Sequence, residues 1–244
     1  MSSDPLPAAN RPASSKLRGW GEALGITLVG ILLGGVGCFI LLRNYLYRQV
    51  QEGRMDLFHA AAWWEVGFGV IGLVLIPIFL WQRARGSSLA ELGWRKPAPP
   101  LAYVLAVGLA ILFLTGSYFG AQRVLPDVNV LEVNGLRLAL APLGIFLAIG
   151  EEMMMRGFFM TALHRAGVAT WLQILASGAC SASYHALQNP TPMGFFPSFI
   201  LFSLHAGLYV VSKRSLMPVI LTHSLYHVLG QPYLLMMAMV AMNR

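Results

Sequence analysis

The sequence predicts an all-α polytopic integral membrane protein of seven or eight transmembrane helices, with its active site in the interior of the helix bundle. Three observations lead there. Of its 244 residues, 57% are hydrophobic and only 11% are charged, against about a quarter charged in an ordinary soluble domain, and the mean hydropathy is +0.64. Uncharged runs of the roughly 20 residues needed to cross hydrocarbon recur along the chain. One of them, "GIFLAIGEEMMMRGFFMTALHR" at residues 144–165, carries two adjacent glutamates and an arginine in its middle.

The elements follow in chain order. Residues 1–18 are rich in Pro, Ser and Ala, lack the apolar core of a signal peptide, and read as a disordered cytoplasmic tail. Three spans come next, at Ala23 to Leu42, Val66 to Gln82 and Leu101 to Gln122, so that residues 19–135 form an N-terminal group of three helices. The Pro-rich stretch at residues 83–100 is the one linker-like segment. Residues 136–244 form the candidate catalytic core, with helices at Arg137 to Leu163, Ala166 to Tyr184, Met193 to Ser212 and Leu216 to Leu229. Gly230-Gln231-Pro232 then breaks the pattern, which leaves Tyr233 to Met242 as a half-buried eighth helix or a bent continuation.

Lysine and arginine favour an N-terminus inside. That orientation puts Arg11, Lys16, Arg18, Arg83, Arg85, Arg95, Lys96, Arg165, Lys213 and Arg214 on the cytoplasmic side, and Arg43, Arg48, Arg54, Arg123 and Arg137 outside. Arg244 depends on the last helix. The net charge of +7 is thus a topology signal, dispersed over loops, and not the basic stripe of a nucleic-acid binder. Cys38 and Cys180 fall in different spans without CxxC spacing and read as packing residues. The expected setting is a bacterial inner membrane, with the lipid bilayer as a partner.

An ionisable residue at mid-membrane costs about 2.5–3.5 kcal/mol on insertion scales, so Glu151, Glu152 and Arg156 require partners or a wet cavity. Glu152 and Arg156, four apart, can pair on one helix face. Glu151 points about 100° away from Glu152, so one arginine does not easily satisfy both, and the second carboxylate points to chemistry or ion binding. Candidates to face it lie later in the chain. His185 ends "ASYH", while His223 and His227 stand at i and i+4 in "LTHSLYH". At about 1.5 Å of rise per residue, Glu151 lies about 18 Å from the cytoplasmic end of its helix, and His185 about 23 Å; His223 and His227 lie about 10 and 16 Å deep. All four occupy one broad slab and can line one cavity.

These residues carry a family resemblance. "EEMMMRGFF" is similar to the EExxxR first motif of the CPBP intramembrane proteases (CAAX proteases and bacteriocin-processing enzymes, also called Abi), the type II CAAX prenyl endopeptidase-like proteins. "SASYH" stands where that family has FxxxH and supplies His185; "SLMPVILTHSLYH" resembles the segment leading into its HxxxN motif and supplies His223. "LAELGWRKP" resembles the loop ahead of the family's third span. The likeness covers about residues 136 to 230. Ser181 replaces the family phenylalanine, read as a packing change, and His227 replaces its asparagine.

The resemblance implies an intramembrane endopeptidase that hydrolyses a peptide bond of a peptide or protein substrate at the membrane. Glu151 is the base for a water held with His185, His223 and His227 stabilise the oxyanion, and Glu152 with Arg156 fixes the Glu151 helix. Members of the family have been described both as metalloproteases and as metal-independent glutamate proteases. No cofactor is required by this reading, which keeps a metal-free water; zinc on Glu151, His185, His223 and His227 is the alternative.

Other classes fit less well. A di-iron oxidase needs more histidine boxes than one HxxxH, and a transporter of the common kind shows inverted repeats that are absent. A non-catalytic CPBP-like scaffold or immunity protein stays open beside the enzyme. His205 lies between Ser203 and Gly207 at small-residue spacing and reads as helix packing, His59 and His164 as interfacial, and the methionine groups as soft packing or lipid contact. The substrate's identity, and whether it is prenylated, is not written in the sequence.

Overall fold

A computed structural model describes residues 13–84, 88–94, 97–188 and 192–241. The first 12 residues, Arg85, Arg95, Lys96 and Arg244, all used above for tail and orientation, lie outside the described residues, as does Met242. Within them the fold is wholly helical. Helix α1 (Ala13–Gly30) continues through a wider, π-wound stretch (Ile31–Leu42) into α2 (Arg43–Gln51), and α3 (Leu57–Ala84) and α4 (Pro100–Val124) follow. Helix α5 (Gly135–Glu152) passes through a second π-wound turn (Met153–Phe159) into α6 (Met160–Arg165). Then come α7 (Thr170–His185) with a short 3-10 turn (Ala186–Gln188), α8 (Pro192–Val211), α9 (Met217–Gly230) and α10 (Tyr233–Ala241).

Three of these helical stretches are long and apolar enough to cross a membrane, Lys16–Gln51, Pro100–Val124 and Gly135–Arg165; Leu57–Leu73 and Phe195–Val211 are shorter apolar helices. The chain therefore has the helical spans of an integral membrane protein. Boundaries differ from the sequence reading at the first helix and at α3, which begins at Leu57 and not at Val66. Residues 13–18, expected in the tail, are helical, and the first helix runs on to Gln51, taking in Arg43 and Arg48, which were expected in an outer segment. Arg43 is buried, its guanidinium against the Asn44 side chain at 3.1 Å; a charge held this way does not end a helix as a loop charge would.

Local chemistry explains the punctuation. Asn134 caps α5 by accepting the Arg137 backbone N–H at 2.9 Å, a role suited to its short polar side chain. Pro100 and Pro218 stand in the first turns of α4 and α9, where a missing N–H costs nothing. Gly93 adopts φ +86° and lets the 88–94 loop dock on the turn before α9, Leu216 N–H donating to Gly93 O at 3.0 Å. Pro232 separates α9 from α10, so the tail is a short helix of its own rather than a continuation, and α10 packs against α3 and α4.

Helix α5 is central. It is flanked by α3 and α9, α9 packs in turn on α4, and α7 pairs with α8. Glycines make the α3–α5 crossing close: a Cβ on Gly150 would lie 2.8 Å from Gly72 O, and one on Gly72 would lie 2.6 Å from Leu147 Cα. Two apolar clusters bracket the C-terminal end of α5. One gathers Met153–Met155, Phe159, Leu163, Leu92, Tyr209 and Leu216; the other gathers Trp64, Phe68, Leu147, Tyr184 and Met239. Glu151 and Glu152 fall between them in the chain. Cys38 and Cys180 are both free thiols.

Arg137 is a second correction. Expected as an outer loop charge, it is buried, donating to the carbonyls of Val130, Glu132 and Leu229 and lying 5.1 Å from the Tyr233 ring centroid. It ties together the 125–134 loop, the end of α9 and the start of α10.

Candidate active site

The last turn of α5 supplies both glutamates, and the π-wound turn that follows, every residue of which is buried, supplies Arg156. Such i→i+5 turns are uncommon and concentrate at functional sites. Glu152 is fully buried, and Arg156 grips it from two sides, Nη1 donating to Oε1 at 3.3 Å and Nε lying 3.2 Å from Oε2. Arg156 also donates to Phe202 O at 2.9 Å and lies 5.6 Å from that ring's centroid, so α8 is fastened to the same pair.

Two histidines complete the surroundings of Glu152. His223 Nδ1 stands 2.8 Å from its Oε1, and His205 Nδ1 stands 3.4 Å from the same atom. An ionised carboxylate only accepts hydrogen bonds, so His223 carries its proton on Nδ1. Its Nε2 lies on the other side, 3.5 Å from Glu151 Oε2. Tyr184 O–H donates to Glu151 Oε1 at 3.4 Å. One imidazole therefore bridges the two carboxylates, with Glu152 behind and Glu151 in front.

In front of Glu151 is a cavity of about 190 Å³, lined by Glu151, His185, His205, His223 and His227 and walled by Phe202, Gln231, Leu234 and Leu235. The expected slab residues thus share one space, while Glu152 and Arg156 lie outside its lining. His185 Nδ1 stands 2.9 Å from Ser181 O. A carbonyl only accepts, so this ring is protonated on Nδ1 and its Nε2 is an acceptor. The rings of Tyr184 and Phe202 both lie 4.4 Å from His185, centroid to centroid. His227 stacks on His223 at 4.8 Å with 24° between the rings.

His205 was read from the sequence as helix packing, and its side chain instead reaches the carboxylate hub. Burial of an ionisable residue inside a span was the signal available; the small-residue spacing around it hid that signal. Glu65 went unremarked. It is 1% exposed, on α3, and in the sequence it resembles a boundary because it is a charge at the edge of an apolar run.

The geometry also bears on a metal. Among the described residues, the ligand atoms that converge are those of Glu152, His205 and His223, within 4.8 Å of one another. This trio is not the alternative zinc set named from the sequence, Glu151, His185, His223 and His227. The Arg156 guanidinium donates to Oε1 of Glu152 and lies 3.2 Å from its Oε2, and a divalent ion on that carboxylate would stand beside a buried positive charge. The trio therefore fits a hydrogen-bonded hub better than a cation.

No curated protein and no solved structure matches the chain. A family model does, from the N-cap of α5 to the last turn of α9. Residues 134–229 match the model of the type II CAAX prenyl endopeptidase Rce1-like family, a segment that contains all the motifs that build the site.

Proposed function

We propose that this chain is an intramembrane endopeptidase in which Glu151 activates a water without a metal. The observation that carries the reading is the division of the two glutamates: Glu152 is closed off by Arg156, His205 and His223, whereas Glu151 borders a cavity shared with His185, His223 and His227. One carboxylate is structural and the other faces space for a substrate.

In this mechanism a water sits between Glu151 and Nε2 of His185, each accepting one of its protons. Glu151 takes a proton as the water oxygen attacks the peptide carbonyl. The negative charge that develops on the carbonyl oxygen is met by His223 and His227. His223 can donate from Nε2 while Nδ1 donates to Glu152 only when the ring holds both protons, and Glu151 and Glu152 flank that form. The proton on Glu151 then passes to the leaving nitrogen as the C–N bond breaks, giving a carboxylate and a free amine. Arg156 keeps Glu152 ionised and in place, and so sets the position of His223.

The protein sits in this reading as a bundle of seven or eight spans in a bacterial inner membrane, N-terminus inside. Reporter fusions after Lys213 report cytoplasm and those after Arg54 or Asp127 report the exterior; the reverse pattern overturns the orientation. For the activity, membranes from cells with the parent and with Glu151→Gln are compared by proteomics for a cleaved peptide. A product present only with the parent supports the protease. A phenotype that persists undiminished in Glu151→Gln, with no product in either, assigns the chain to the scaffold or immunity role instead.

A further inference from the structure

Glu65 belongs to no motif above, lies outside the family segment, and is a carboxylate in the interior of a membrane bundle. Its Oε2 has no hydrogen-bond partner among the described residues. Carboxylates at that depth are held by a partner or mark a pathway. The neighbouring cation, Arg137, has its guanidinium committed to the carbonyls of Val130, Glu132 and Leu229.

The other polar group at hand is His227. A Cβ on Gly144 would stand 3.5 Å from Glu65 Oε1, 3.5 Å from His227 Cγ and 2.7 Å from His227 Cβ, so α3 and α9 bring the two side chains to the same bare patch of α5. His227 is 6% exposed and its Nδ1 is likewise buried without a partner. Two side chains, each with one unpartnered buried polar atom, Oε2 of Glu65 and Nδ1 of His227, thus meet over one glycine. A neutral imidazole donates from one nitrogen and accepts at the other, and the partner on one nitrogen decides what the other presents.

We infer that Glu65 is a positioning residue for His227. Its protonated carboxyl donates to the bare ring nitrogen on the protein side, so that the other nitrogen carries the proton toward the cavity, which fixes one ring tautomer and one ring orientation. The inference rests on the protease reading for its kinetic consequence, not for the contact itself.

The test uses the full chain in lipid nanodiscs, as parent, Glu65→Gln, His227→Asn and the double variant. The parent, with ¹⁵N-labelled histidine and His227→Asn for assignment, shows a single His227 tautomer whose ring shifts move in Glu65→Gln. Turnover falls about 10-fold or more in Glu65→Gln, with KM little changed; in the His227→Asn background the same change costs less than about twofold, because coupled residues are not additive. Equal losses in both backgrounds, or an unmoved His227 signal, overturn the inference. A parent that cleaves nothing sinks the protease reading alone, and the nitrogen shifts still decide the Glu65–His227 couple. Should Glu65→Gln fail to fold, the parent spectrum suffices: two tautomers in exchange at His227 refute a fixing partner.

Discussion

Nδ1 of His223 lies 2.8 Å from Oε1 of Glu152, a contact from α9 to α5 made with both residues out of solvent. It makes Glu152 the anchor of His223, which borders the cavity. Whatever displaces Glu152 moves His223, and with it the group 3.5 Å from Glu151.

The two glutamates are therefore expected to fail differently. Glu151→Gln removes a base and keeps the shape, so cleavage falls about 10²–10⁴-fold while thermal unfolding in detergent is unchanged. Glu152→Gln leaves Arg156 as a buried cation without its counter-charge, and breaking a pair of this kind costs about 3–5 kcal/mol. Its unfolding midpoint drops well below that of the parent. Equal midpoints for the two variants would contradict the division of labour.

His205 is expected to act through Glu152. His205→Ala removes the imidazole whose Nδ1 lies 3.4 Å from Glu152 Oε1 and leaves Arg156 and His223 in place, so activity falls by roughly tenfold rather than vanishing. His205→Gln, which can still donate, recovers part of the loss. Steady-state cleavage by the three proteins checks this, and full activity in His205→Ala would return His205 to the packing role.

What the sequence made legible was the pattern of cost. Charges inside an apolar run, Glu151, Glu152 and Arg156, and histidines at matching depth, His185, His223 and His227, stood out because nothing in hydrocarbon tolerates them without a partner. What it concealed depended on partners distant in the chain. Arg137 resembled a loop charge because its acceptors, among them Leu229 O, come from segments that no local window contains. Arg43 did so because a single side chain beside it, Asn44, gives no hint that the helix continues. Glu65 marked the end of an uncharged window by definition, although its helix begins at Leu57.

The close crossing of α3 and α5 yields a third expectation. Since a Cβ on Gly150 would meet Gly72 backbone at 2.8 Å, Gly150→Val separates the helices or strains them, at about 1–3 kcal/mol for overpacking. The adjacent Glu151 shifts with its helix, so activity is lost beyond what the stability change explains. Gly108→Ala, where an added Cβ meets nothing within 4 Å, is the control and behaves as the parent. Unfolding midpoints and cleavage rates of both variants decide the matter.

The last expectation separates the metal-free water from zinc. Arg156 already neutralises Glu152 and Glu151 activates the water in this reading, so protein purified without added metal is expected to hold no stoichiometric zinc and to cleave at the same rate after exhaustive chelation. His227→Asn then keeps much of the activity, because an amide N–H still donates toward the oxyanion. Were His227 a ligand instead, asparagine would be a poor replacement, and bound zinc and cleavage would fall together. The experiment measures metal content and cleavage of the parent and of His227→Asn, each with and without chelator. Stoichiometric zinc in the parent, lost together with activity in His227→Asn, refutes the metal-free water; chelator-insensitive cleavage by both proteins refutes the zinc site and leaves Glu151 as the base.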